Sequence, residues 1–93
     1  MTEEERTAAD VPLPGGNFRL FITRLSYQAL MSLGIIENPL TNTKQQQLPN
    51  ARMLIEDLEM LSEKTAGNLD DDEAKLLDSM LYELRMRFVE AGP

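Results

Sequence analysis

Wound at about 100° per residue, the apolar positions between Asn17 and Leu33 fall into two stripes on opposite sides of one helix. One stripe holds Phe18, Phe21, Ile22, Leu25, Ala29 and Leu33; the other holds Leu20, Tyr27, Leu30 and Met31. Arg19 and Ser26 on one flank, and Arg24 and Gln28 on the other, keep them apart. Asn17 can cap this helix with its side-chain oxygen, and Gly34 can take the left-handed conformation that ends it. The spacing therefore predicts a helix over 17–33, with more apolar surface than one neighbour covers.

Further along, the segment from Gly34 to Leu48 carries Asn38-Pro39, Thr41-Asn42-Thr43 and Gln45-Gln46-Gln47, which read as turn or irregular chain. A connector of this length is uncommon in a small domain, and Ile35, Ile36 and Leu48 are the residues able to tack it to a core. A second helix, about 50–65, begins at Pro49 or Asn50 and stops before Gly67. It presents Ala51, Leu54, Ile55, Leu58 and Leu61 on one face, with Met53 and Met60 nearly opposite. Asp70 followed by Glu73 has the spacing of a capping box, with Leu69 placed as its hydrophobic staple against Ala74. The third helix, 70–91, sets Leu77, Met80, Leu81, Leu84, Phe88 and Ala91 in its core stripe and ends at Gly92. Tyr82, Met86 and Val89 form a smaller apolar patch on another side of it.

Residues 1–16 are polar and acidic and close on Pro12, Pro14, Gly15 and Gly16, the composition of a flexible arm ahead of a single helical domain over 17–91. With 93 residues in all, such a domain has a small core. Leaving Leu20, Tyr27, Leu30 and Met31 in water would forfeit roughly 1.5–3 kcal/mol per side chain, a sum comparable with the stability of an ordinary domain. Either the connector folds back over them or a second chain covers them. The pattern thus predicts an all-α, small three-helix protein that forms a helical bundle as a homodimer, with Leu20, Tyr27, Leu30 and Met31 at the interface and Tyr27 its main anchor. Tyr82, Met86 and Val89 join them as candidate interface residues.

Charge and composition narrow the function. Sixteen acidic residues against nine basic ones leave a formal net charge of −7, which opposes a polyanion at long range, so nucleic acid is not an expected partner. No segment approaches the roughly eighteen apolar residues of a membrane span, and Met1 to Asp10 has no apolar centre of a secretory signal. The absence of cysteine removes disulfides and thiolate metal sites and suits the cytoplasm.

Catalysis finds little material. The chain has no histidine and no cysteine, and Ser26, Ser32, Ser62 and Ser79 fall in helical pattern without a base placed beside them. No catalytic residue, cofactor site or metal site is expected. The acidic run Asp70, Asp71, Asp72 and Glu73 invites a metal-dependent enzyme as the least favoured reading, but it lacks calcium-loop spacing, and acids in a first turn follow from the helix dipole. Arg85 and Arg87 read similarly as helix-end charges, with Glu83 and Arg87 spaced as an intrahelical pair.

Several segments also resemble a known family. Phe18-x-x-Phe21-Ile22-x-x-Leu25-x-x-Gln28-Ala29-Leu30-x-x-Leu33-Gly34, Leu58-x-Met60-Leu61-x-Glu63-Lys64-Thr65-x-Gly67-Asn68-Leu69, Leu76-Leu77 and Leu81-Tyr82-Glu83-Leu84-Arg85-Met86-Arg87-Phe88-Val89 are similar to a family of uncharacterised bacterial proteins, domain of unknown function eighteen-forty-four. The resemblance covers most of residues 17–90 and is most specific in the last segment. It implies a small, acidic, largely helical cytoplasmic protein and carries over no catalytic residues. The family's connector often has Pro, an acid, Thr and Gly in its turn, where this chain reads Asn38-Pro39-Leu40-Thr41-Asn42; Asn can replace Gly in a left-handed turn. Pro49 is also less typical, which bears on where the second helix starts. The function expected from all this is a non-catalytic, self-associating interaction or adaptor protein. The alternative is a module whose Leu20, Tyr27, Leu30 and Met31 form a groove for a partner's amphipathic helix.

Overall fold

The computed structural model describes residues 15–92. The flexible arm expected over 1–16 therefore falls, but for its last two residues, outside the described residues. Three helices follow in chain order, α1 Phe18–Ser32, α2 Leu48–Lys64 and α3 Asp71–Ala91, and each packs against both others in an all-α bundle. The second helix starts two residues earlier than its sequence pattern suggests. Pro49 sits in its first turn, where the missing N–H would have had no helical partner anyway.

Local chemistry sets the helix ends. The Asn17 side chain accepts a hydrogen bond from the Leu20 N–H at 3.1 Å, satisfying one of the donors that a helix start leaves unpaired. At the other end of α1, Gly34 has φ of 78°; its N–H donates to the Met31 carbonyl, and the Ile35 N–H donates to the Leu30 carbonyl, both at 3.0 Å. That pair of bonds is the Schellman motif, which favours an apolar contact between the residues at its outer bond. Ile35 and Leu30 both pack against the core. A Cβ added at Gly34 would meet Gln46 only at 3.5 Å, so the cost of Gly34→Ala comes from the left-handed backbone. We expect a loss of about 1–2 kcal/mol, read as a lowered midpoint in thermal unfolding.

The connector is more ordered than its composition suggests. Isolated antiparallel bridges pair Leu33 with Gln46 and Asn38 with Thr43, and the Asn38 side chain accepts from the Leu40 N–H at 2.9 Å. Asn42 takes φ of 55°, the left-handed turn position where Asn stands in for Gly. The Gln47 N–H donates to the Ser32 carbonyl at 2.7 Å, which returns the chain to the end of α1. Ile35 and Leu48 pack against the core as expected, while Ile36 is half-buried.

The core joins Ile22, Ala29 and Leu33 of the first helical segment to Ala51, Leu54, Ile55 and Leu58 of α2 and Leu77, Leu81 and Leu84 of α3. One further buried residue departs from the sequence pattern: Ser26, placed by sequence on the polar flank, is only 2% exposed. Its hydroxyl donates to the Ile22 carbonyl at 2.8 Å, so a short polar side chain enters the core without an unsatisfied group. The buried face of α1 is consequently centred on Ile22, Ser26, Ala29 and Leu33. This rotation draws Leu30 inward against the core and leaves Phe21, expected in the core stripe, 41% exposed.

Candidate functional site

The chemistry-bearing candidates are accounted for by structure. Asp70 accepts from the Glu73 N–H at 2.8 Å, and the Glu73 carboxylate accepts from the Asp70 N–H at 3.0 Å. The acidic run thus contains a reciprocal capping box, and among the described residues no group of three or more acids is arranged to hold a metal ion. Because the box satisfies two donors at the start of the longest helix, Asp70→Ala should cost about 1 kcal/mol, measurable by chemical denaturation.

The two arginines of α3 are engaged differently from one another. Arg87 donates from Nε to Glu83 Oε1 at 2.8 Å, the intrahelical pair expected from the spacing. That hydrogen bond, followed by the charge of the same carboxylate, raises the guanidinium's already high pKa. Arg85 instead reaches α2, donating from Nε and Nη2 to Glu59 Oε2 at 3.1 and 2.7 Å. Neither lies in the last turn of α3, which holds no basic residue. Interaction with the helix dipole falls off within that turn, so ion pairing is their role and the helix-end reading is corrected.

What stays open to solvent is apolar. Tyr82, Met86 and Val89 recur at i, i+4 and i+7, on the side of α3 opposite Leu77, Leu81 and Leu84. Tyr82 is 66% and Val89 75% exposed, with Met86 also exposed. Together with Arg85 and Glu90 they line a shallow hollow of about 420 Å³. On α1 the second stripe divides: Leu20 and Tyr27 are exposed, Met31 is half-buried, and Leu30 packs against the core. The connector therefore does not cover Tyr27. The structure does not bring the α1 and α3 candidates into one site; they stand on the outer faces of different helices.

One feature escaped the sequence pattern. Between α1, the connector and the start of α2 lies a cleft of about 340 Å³, lined by Met31, Met53 and Leu54 together with amide side chains including Gln28, Gln45 and Asn50. Its amides come together only because the bridged connector folds back beside α1. No signal in the sequence beyond the density of Asn and Gln points to it.

A family model described as Domain of unknown function (DUF1844) matches residues 16–90, which takes in all but the last residue of α3 and the whole of the other two helices. The chain belongs to this family. The family's match thus spans the capping residues, the connector and both outward apolar faces. No curated protein and no solved structure matches the chain. No helix among the described residues is long and apolar enough to cross a membrane.

Proposed function

We propose that this domain is a non-catalytic interaction or adaptor protein of the cytoplasm that works as a homodimer, with the outward face of α3 as its seam. The observation that carries the reading is the aligned stripe of Tyr82, Met86 and Val89, exposed on the side of the longest helix away from its core. Burial of such side chains contributes about 1.5–3 kcal/mol each, and a tyrosine with a polar tip suits a partly wet seam.

Charge favours this face over α1 for self-association. A two-fold interface sets each patch against its own copy, so unbalanced charge on the patch opposes itself across the seam. On α3 the neighbouring arginines are already paired with Glu59 and Glu83. The α1 sequence, by contrast, contains Arg19 and Arg24 and no acidic residue, and joining two α1 faces would gather four arginines. An antiparallel α3 pair centred between Arg85 and Met86 places Tyr82 opposite Val89 of the second copy and Met86 near itself.

Because the chain has no native cysteine, Met86→Cys introduces a single reactive thiol. Treatment with a short bis-maleimide should give a covalent dimer of Met86→Cys and leave Tyr27→Cys monomeric. A covalent dimer from Tyr27→Cys alone would move the seam to α1, and no dimer from either would overturn the reading.

A further inference from the structure

α1 is positively charged in an acidic chain. The protein carries a formal net charge of −7, yet α1 holds Arg19 and Arg24 with no acid. Phe21, Arg24, Tyr27 and Gln28 are all exposed and, at helical spacing, share the side of α1 away from Ile22, Ser26 and Ala29. Neither arginine forms a salt bridge within the described residues.

The hollows on either flank continue this character. One, of about 300 Å³ at the start of α1, is lined by Gly16, Asn17, Phe18, Phe21 and Arg24. The other is the amide-lined cleft, which shares Gln28 and Met31 with this face and adds Met53. Arg24 is the single charged residue lining either of them. An apolar strip with a cationic centre, and no acid among the described residues that line its two hollows, selects by charge as well as by shape. Methionine lining the cleft adapts to the side chain it receives.

We propose that this strip, from Phe21 through Arg24 and Tyr27 to the Met31–Met53 cleft, receives an acidic amphipathic helix from a partner protein. The partner's apolar ridge lies along Phe21 and Tyr27 and places a side chain in the cleft, while its carboxylates pair with Arg24. A helix seated in a groove is read through anchors at i, i+3 or i+4 and i+7, the same repeat that spaces Arg24, Tyr27 and Met31 on α1. Nucleic acid is the poorer occupant. A single arginine on the strip releases few counterions, and the net charge of the whole chain repels a polyanion. This surface lies on a different helix from the proposed dimer seam, so each can be lost without the other.

The test uses the full chain and a fluorescein-labelled synthetic helix with leucines on one stripe and glutamates elsewhere, followed by fluorescence anisotropy. Its mirror, with lysine replacing every glutamate, and a labelled single-stranded oligonucleotide serve as competitors for the same face. The acidic helix should bind, more weakly as salt rises, and the lysine helix and oligonucleotide should not. Arg24→Glu and Tyr27→Asp should each weaken binding about tenfold or more, the loss expected of an anchor residue, with helicity by circular dichroism unchanged. Val89→Asp should bind as wild type. Failure of the acidic helix to bind, equal binding of the lysine helix, preferential binding of the oligonucleotide, or undiminished binding by Arg24→Glu would each overturn the proposal.

Discussion

Leu58→Ala is expected to lower the stability of the domain by about 2–5 kcal/mol. Leu58 is fully buried in α2, the helix that packs against both α1 and α3. Removal of its side chain therefore opens a cavity where all three helices meet. A domain of this size has only roughly 4–12 kcal/mol to lose, so the unfolding midpoint should fall by at least about 10 °C. Ser26→Ala, at an equally buried position, should change stability by less than about 1 kcal/mol. It removes only the hydroxyl bond to the Ile22 carbonyl, an acceptor that also serves the helix ladder. Thermal unfolding at one fixed protein concentration, since the proposed dimer would make the midpoint depend on concentration, distinguishes the two. Equal effects would show that the packing centre has been misplaced.

Much of this architecture is legible in the sequence because its signals are local. The core face of α2, Ala51, Leu54, Ile55 and Leu58, follows from periodicity alone, and each of these residues is buried. Asp70 and Glu73 declare the start of α3 by spacing, and the reciprocal bonds are present. Glu83 and Arg87 find each other because they are one helical turn apart. The features that sequence misplaces depend on partners distant in the chain or on a choice polarity does not encode. Ser26 reads as polar, yet it returns its hydroxyl to its own helix and so occupies the centre of the buried face. Leu30 leaves the outer stripe because the buried face of α1 is centred on Ser26, and Ile35, bonded back to it past the left-handed Gly34, packs on the core with it. Arg85 pairs with Glu59 on another helix, a match that no spacing rule anticipates.

The exposed candidates were legible in type and only partly in use. Tyr82, Met86 and Val89 stand out as the sequence suggests, and Tyr27 does as well, whereas the charge around each face emerges only from the assembled bundle. That difference is the ground on which we propose α3 rather than α1 as the dimer seam.

Met86→Asp combined with Val89→Asp should abolish the dimer while leaving the bundle folded. Both side chains are exposed in the single chain, so the new carboxylates stay hydrated there and cost little. In a two-fold seam centred near Met86 the carboxylate at 86 would instead face its own copy and that at 89 would face Tyr82 of the second copy, placing four carboxylates in a small apolar contact. Desolvation and like-charge repulsion then oppose association together.

The most direct measurement is solution mass by light scattering across a dilution series, on wild type and on this double variant. The account predicts a wild-type mass near twice the 10.5 kDa of one chain, falling toward the single-chain value on dilution, and a variant at the single-chain value throughout with unchanged helicity. A wild-type protein that is monomeric at the highest concentration, or a variant that still dimerises, would contradict it.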